Sequence, residues 1–237
     1  MKQSREAHTS VTIPVGADRI EGDLGIPEPV FGLVVFAHGS GSSRRSPRNQ
    51  FVAARLREAG LGTLLLDLLT RDEEKEDLVS ARHRFDIPLL AGRLGTAAEW
   101  VKRQPRLSRL PLGYFGASTG AAAALVAAAA APDLVRAVVS RGGRPDLAGA
   151  SLERVQAPTL LIAGGRDAEV LALNRAAENR LGALGRLAVV PGATHLFEEP
   201  GALDEVSRLA ASWFRGHMDA AWAPSPGDRL EVSVRGE

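Results

Sequence analysis

Three side chains in this sequence have the types needed for nucleophilic catalysis by a serine hydroxyl. Ser118 lies in Gly116-Ala-Ser-Thr-Gly120, a G-x-S-x-G pattern that follows an apolar run and precedes an alanine-rich segment. A serine hydroxyl is a weak nucleophile until a base removes its proton. We assign that base to His195, in the loop after the apolar run at 187–190, and the acid that orients it to Asp167, after another apolar run.

The pattern around Ser118 predicts a sharp turn between a strand and a helix. Its two glycines let the turn pass close to neighbouring elements, and the N-terminus of the following helix would offer free backbone N–H groups to a developing oxyanion. Each assignment also has a plainer interpretation. The pattern can occur by chance in a chain with 25 glycines. His195 can be an ordinary loop histidine, and Asp167 can be a helix N-cap.

Acyl transfer by such a serine needs two N–H donors aimed at the tetrahedral oxyanion. We assign one to the backbone of Thr119, the residue after the nucleophile. The other comes from the loop His38-Gly-Ser-Gly-Ser-Ser43, and we assign it to Ser40, with Gly41 beside it at the substrate-binding surface. A Gly/Ser loop could instead hold phosphate, but this one lacks the lysine and the glycine spacing of known phosphate-binding loops.

Arginine is the dominant cation of the chain, because the 29 basic residues include only three lysines. Six arginines fall in loops expected beside the nucleophile, namely Arg44, Arg45, Arg48, Arg141, Arg144 and Arg166. We hypothesise that one or more of them binds a carboxylate or phosphate on the substrate, with Arg44 and Arg141 as candidates. The alternatives are a composition bias of the coding genome, solvated surface charge, or pairing with Asp72, Asp146 or Glu198.

Composition and charge exclude several classes of protein. The absence of cysteine excludes disulfide scaffolds, thiolate zinc sites, iron–sulfur clusters and a cysteine nucleophile. A net charge of +1 argues against a nucleic-acid partner. The polar N-terminus lacks the apolar region of a secretory signal, and the most apolar stretch, 121–131, is shorter than the roughly 20 residues of a membrane span. We therefore expect a cytoplasmic protein without a membrane partner.

The candidate residues require a scaffold that brings several loops to one edge of a sheet. Two short runs predict a hairpin, and apolar runs predict six further strands: 8–15 and 19–25, then 32–37, 63–68, 111–115, 135–140, 159–163 and 187–190. Helical spacing predicts helices at 47–60, 86–104, 119–131, 168–181 and 201–214. This alternation implies a mostly parallel sheet with helices on both faces, within one domain over residues 1–219.

Few residues remain to cover the site. The 18 residues at 141–158 suffice for a loop and a short helix, but not for a lid domain. The acidic stretch 71–77 is expected to be a solvated loop, within a possible cover at 71–85. The tail, 220–237, is rich in Pro, Gly and charge and is expected to be an extension outside the core.

Four segments together resemble the α/β-hydrolase superfamily and, within it, the dienelactone-hydrolase-like branch: 38–41, 116–120, 164–167 and 192–195. The resemblance covers roughly residues 11–216. It implies an α/β-hydrolase fold with Ser118 as nucleophile, Asp167 as acid and His195 as base, in the chain order of that superfamily. The founding dienelactone hydrolases use a cysteine nucleophile, which this chain lacks, so dienelactone itself is not the expected substrate.

Two segments, 38–49 and 139–147, also resemble bacterial proteins in which such a hydrolase domain accompanies a phosphoribosyltransferase-like domain. The sequence thus predicts a serine hydrolase for a small carboxylic ester or thioester, with an anionic group on the substrate as an option and no metal or organic cofactor. Three alternatives stay open. They are an acyltransferase that uses the same residues, a hydrolase-fold module that only binds a ligand or partner, and nucleotide binding at the Gly/Ser loop.

Overall fold

An eight-stranded sheet in the order β1-β2-β4-β3-β5-β6-β7-β8 organises the computed structural model, which describes residues 7–219. The strands are β1 (Ala7–Val15), β2 (Asp18–Ile26), β3 (Gly32–Ala37), β4 (Leu61–Leu66), β5 (Leu112–Ala117), β6 (Val135–Arg141), β7 (Thr159–Gly164) and β8 (Gly185–Val190). The first two form the predicted antiparallel hairpin, β2 pairs antiparallel with β4, and the remaining pairs are parallel. The predicted mostly parallel sheet is confirmed.

The helices cover both faces of this sheet. They are α1 (Pro47–Glu58), α2 (Arg71–Ser80), α3 (Ile87–Arg103), α4 (Thr119–Ala130), α5 (Ala168–Leu181) and α6 (Ala202–Met218). Helices α1 and α6 pack with Val34 and Phe36 on one face, and α3, α4 and α5 pack with Leu33 and Val35 on the other. Because apolar cores lie on both sides, the central strands are apolar throughout rather than alternating.

Helix α4 lies close to the sheet. Six of its nine buried residues are alanine. A Cβ built on Gly120 would collide with the carbonyl oxygens of Ala37 and His38. Backbone at the start of α4 therefore touches backbone at the end of β3, which places the loop after β3 directly beside Ser118.

The expectation of a solvated loop at 71–77 is wrong, because these residues belong to α2. Thr70 caps the helix in a reciprocal capping box: its hydroxyl accepts from the N–H of Glu73 at 3.3 Å, and the Glu73 carboxylate accepts from the N–H of Thr70 at 2.8 Å. Three acidic residues in the first turn favour the helix further, since they face the positive end of its dipole. The Glu73 carboxylate also pairs with Arg93 of α3 at 2.6 Å.

The segment between β6 and β7 contains a short 3₁₀ region, Pro145–Arg154, and no lid domain, as expected. No helix within residues 7–219 is long and apolar enough to cross a membrane. The predicted extension at 220–237 lies outside the described residues, as do the first six residues assigned to the domain.

Candidate active site

Ser118 sits between β5 and α4 with φ 51° and ψ −122°, a left-handed conformation that a residue with a Cβ rarely adopts. The turn is held by its own backbone. The N–H of Ser118 donates to the carbonyl of Arg141 at 3.2 Å, and its carbonyl accepts from Ala121 and Arg144, each at 3.1 Å. Strain of this kind is kept only where the surroundings enforce it, and it clusters at active sites. The predicted sharp strand-to-helix turn is present.

Asp167 and His195 lie in contact at the carboxyl edge of the sheet. The carboxylate Oδ2 of Asp167, after β7, is 2.8 Å from Nδ1 of His195, after β8. Asp167 precedes α5, but its side chain makes no capping hydrogen bond. The carboxylate therefore serves the imidazole rather than the helix end. If Nδ1 carries the proton of this bond, Nε2 is left unprotonated and could accept a proton.

Two contacts hold the loop that carries His195 in place. The Glu199 carboxylate accepts from the N–H of Thr194 at 3.0 Å. Hydrogen bonding from Thr194, from its side chain first and its backbone second, holds the pKa of Glu199 below its ordinary value. A Cβ built on Gly142, whose φ is +51°, would lie 3.1 Å from the carbonyl oxygen of His195, so a side chain here would strain the backbone and push the two loops apart.

The loop after β6 thus lies between the two halves of the site. Arg141, whose carbonyl holds the Ser118 N–H, directly precedes Gly142, which contacts the His195 loop. Within residues 7–219 no hydrogen bond joins the Ser118 hydroxyl to the His195 ring. Catalytic hydrogen bonds often tighten only when substrate is bound, so this geometry is compatible with a nucleophile–base pair.

The loop after β3 packs against Ser118. A Cβ built on Gly39 would lie 3.1 Å from the Cβ of Ser118. Ser40, the predicted oxyanion donor, directly follows Gly39, and its N–H donates to the Thr119 hydroxyl at 2.9 Å. The structure thus brings Ser40 and Thr119 together, through a side-chain contact that the sequence did not predict.

His38 fixes the position of this loop and was assigned no role from the sequence. Its Nδ1 lies 2.9 Å from the carbonyl of Gly39, and its Nε2 lies 3.2 Å from the N–H of Leu68. Both hydrogen bonds form only with a neutral ring that carries its proton on Nδ1. Burial lowers the pKa of His38, which favours that neutral form. Because both ring nitrogens are occupied, His38 is not a candidate base.

A cavity of about 360 Å³ opens beside Thr119. The Gly/Ser loop, including Gly41, contributes part of the lining, and Asp77 and Leu78 of α2 contribute another part together with Arg84, which follows α2. Four serine residues belong to the lining, Ser40, Ser42, Ser43 and Ser46. This volume suits a small ligand group, and the polar lining residues favour a polar one.

A buried carboxylate holds the wall of the cavity in place. Asp77 accepts from the N–H groups of His83 and Arg84 at 2.7 and 2.9 Å and pairs with the Arg84 guanidinium at 2.6 Å. The sequence did not predict these contacts of Asp77, because residues 71–77 were expected to form a solvated loop. The signal was present as Thr70-Arg-Asp-Glu73, the S/T-x-x-E signature of a capped helix start.

The six arginines near the site have different surroundings. Arg44 is surrounded by the carboxylates of Glu21, Asp23 and Asp67, so its charge is neutralised within the protein and the arrangement gives no support to its predicted substrate contact. Two others are paired as the structural alternative proposed: Arg48 with Glu198 at 3.0 Å, and Arg144 with Asp146 at 2.7 Å. Arg45 and Arg166 are exposed and form no ion pair among the described residues, and Arg45 lines the cavity.

Arg141 is the only one of the six that is buried. It is only 8% exposed, and its Nη1 has no hydrogen-bond partner among the described residues. Burial lowers the pKa of its guanidinium to about 10, and the nearby charge of Arg48 acts in the same direction. A pKa of about 10 keeps the side chain protonated at neutral pH. No described carboxylate pairs with this buried charge. A buried, unpaired cation is expected where a protein binds an anionic ligand.

Comparison with known proteins agrees with this architecture. A crystal structure of a dienelactone hydrolase from Anabaena variabilis is 54% identical and superposes with a TM-score of 0.88, covering 90% of this chain and 99% of that one. Est1E from Butyrivibrio proteoclasticus shares the fold at 15% identity, with a TM-score of 0.74 over 88% of this chain and 98% of its own.

Two curated relatives from Mycobacterium tuberculosis strains carry the name "putative phosphoribosyl transferase". Each is 57% identical over 208 residues, which is 88% of this chain and 46% of the relative, so the chain spans about half the length of these proteins. A sequence model of the dienelactone hydrolase family matches residues 20–216. Together with the Anabaena structure, this match shows that the chain belongs to the dienelactone hydrolase family and has the α/β-hydrolase fold.

Proposed function

We propose that this protein is a serine hydrolase that cleaves a small carboxylic ester or thioester through an acyl-enzyme on Ser118. One observation carries the proposal: a serine held in a left-handed turn at a helix N-terminus, at the same sheet edge as a histidine bound by a carboxylate. Membership of a hydrolase family supports the same class of reaction.

The reaction proceeds in two half-reactions. In the first, His195 Nε2 takes the proton of Ser118 Oγ as Oγ attacks the carbonyl carbon, and the carbonyl electron pair moves onto oxygen. The tetrahedral intermediate collapses, and His195 returns the proton to the departing alkoxide or thiolate. In the second, water attacks the acyl-enzyme with His195 again as base, which releases the acid and restores Ser118. Asp167 stabilises the imidazolium in both.

The polar cavity beside Thr119 is the proposed place for one substituent of the substrate. Its size admits a small group, and its polar lining residues favour a polar group over a long alkyl chain. Arg141 supports an anionic substituent, because its guanidinium is buried and has no carboxylate partner among the described residues. The substrate class we propose is therefore a small, polar ester or thioester that can carry a carboxylate.

The name of the mycobacterial relatives suggests phosphoribosyl transfer, but it describes proteins about twice as long as the matched segment. That segment overlaps the part of this chain that the hydrolase family model matches. We therefore propose hydrolysis rather than phosphoribosyl transfer for this chain.

The test combines labelling with turnover. A fluorophosphonate probe should label the wild-type protein at Ser118 and leave the Ser118→Ala variant unlabelled. A panel of p-nitrophenyl esters and acyl-thioesters should show turnover that the same variant loses. A folded wild-type protein that is neither labelled nor active would favour the binding-module alternative. Faster product formation with an added alcohol than with water would favour an acyltransferase.

A further inference from the structure

The Thr119 side chain has a role that the proposed function leaves unassigned. It is only 4% exposed, yet it lines the cavity beside the nucleophile. Its hydroxyl accepts the hydrogen bond of Ser40 N–H at 2.9 Å. A hydroxyl has one hydrogen to donate besides the lone pairs with which it accepts. Within residues 7–219 that hydrogen has no acceptor.

This contact changes which groups can stabilise an oxyanion. A hydrolase of this type needs preorganised donors at the point where negative charge develops. Thr119 N–H, in the first turn of α4, is one. The N–H of Ser40 is expected to be the second, but it points at the Thr119 hydroxyl instead. The loop has little freedom to turn it elsewhere, because Gly39 packs on Ser118 and Ala37 and His38 pack on Gly120.

We propose that the hydroxyl of Thr119 is itself an oxyanion donor, and that Ser40 acts through it. This inference rests on the proposed acyl-enzyme reaction. As Ser118 Oγ bonds to the carbonyl carbon, the carbonyl electron pair moves onto oxygen, and that oxygen accepts hydrogen bonds from Thr119 N–H and Thr119 Oγ1–H. The Ser118 proton passes to His195. The bond from Ser40 N–H polarises the hydroxyl and strengthens its donation, since hydrogen bonds in a chain reinforce one another.

The test uses two substitutions of similar size. Thr119→Val keeps the shape of the side chain and removes the hydroxyl, whereas Thr119→Ser keeps the hydroxyl. We expect Thr119→Val to lower kcat by about 10²-fold or more, with little change in KM, as for loss of an oxyanion donor. Thr119→Ser should retain kcat to within about ten-fold of wild type. A trifluoromethyl ketone, which forms a charged tetrahedral adduct with Ser118, should bind Thr119→Val more weakly by a similar factor.

A control separates this effect from the loss of a buried hydroxyl. Thr159 is fully buried at the start of β7, at the end of the strands opposite to the candidate site. Its hydroxyl donates to the carbonyl of Ala157 at 2.9 Å. Thr159→Val should lower the melting temperature but leave kcat within about three-fold. Unchanged or raised kcat in Thr119→Val would overturn the inference, because the released N–H of Ser40 would then be the donor.

Failure of this inference is distinguishable from failure of the proposed function. If the wild-type protein shows Ser118-dependent turnover and Thr119→Val matches it, only the role of the hydroxyl is overturned. If the wild-type protein shows neither turnover nor labelling of Ser118, both are overturned. Equal loss of kcat in Thr119→Val and Thr119→Ser would also contradict the inference, because the retained hydroxyl would then have no effect.

Discussion

The carboxylate of Asp167 lies 2.8 Å from Nδ1 of His195, and this bond joins the loops that follow two adjacent strands, β7 and β8. If it sets the tautomer of the base, Asp167→Asn should lower kcat by roughly 10³–10⁴ without unfolding the protein, because an amide can hold the ring in the wrong tautomer. Steady-state kinetics with a p-nitrophenyl ester would measure the loss. Asp204→Asn, at a surface carboxylate 3.4 Å from Arg55, is the control and should leave kcat unchanged.

The contact between α4 and the end of β3 predicts contrasting effects for two glycines in helices. Gly120→Ala should destabilise the protein by several kcal/mol and abolish turnover, since its Cβ would strike the carbonyl oxygens of Ala37 and His38. Gly92→Ala, in α3 with nothing within 4 Å of the added Cβ, should stabilise by about 0.5–1 kcal/mol. Thermal unfolding of both variants is the measurement. Equal effects would contradict the proposed close packing.

The neutral His38 predicts a pH-dependent loss of stability. Its pKa in the folded state is lowered by burial below the ordinary value of 6.5, so the unfolded chain takes up the proton first. Stability is therefore complete above about pH 6.5 and falls as the pH drops below it, by up to about 1.4 kcal/mol per pH unit. Urea unfolding between pH 5 and 7.5 should show a shallower slope for His38→Gln than for the wild type. Identical slopes would refute the assignment of the ring as neutral.

We expect the contacts of the buried Asp77 carboxylate to anchor α2 to the segment that follows it. Burial alone would raise its pKa, but the hydrogen bonds from Arg84 and His83 outweigh this and hold the pKa below its ordinary value. Asp77→Asn should therefore speed amide hydrogen exchange over residues 71–85 and raise KM, while kcat changes little. Asp72→Asn, at an exposed carboxylate paired with Lys75 at 2.7 Å, should change neither. Unchanged exchange in Asp77→Asn would show that α2 is anchored elsewhere.

The unpaired guanidinium of Arg141 predicts a preference between substrates. Arg141→Gln should lower kcat/KM for an ester that carries a carboxylate by at least ten-fold more than for its neutral analogue. Arg55→Gln, at a surface arginine paired with Glu58, serves as the charge-matched control. An equal loss on both esters would leave Arg141 a structural role only.

Much of the fold followed from the sequence. Apolar runs and helical spacing predicted eight strands and five of the six helices, with ends displaced by a few residues. Helix α2 was missed because its highly charged sequence has no apolar stripe, so that only its capping box and its acidic first turn mark it as a helix.

The candidate site was predictable wherever a residue is fixed by its own neighbours in the chain. Ser118 is such a residue, because the glycines around it specify the turn. The ion-pair partners of Arg44, by contrast, lie on strands and loops distant from it in the chain, and no local sequence pattern predicts these pairs. The same is true of the bond between Ser40 and Thr119, which spans 79 residues.

Arg141 has a further consequence for the heat resistance of the molecule. A basic group whose pKa falls on folding holds its proton more weakly in the folded state, so its charge destabilises that state at neutral pH. Replacement by methionine, which has similar length and no charge, should raise Tm by a few degrees. A selection for thermal tolerance alone would therefore enrich variants that have lost this arginine, whereas a selection for growth on an anionic ester would retain it.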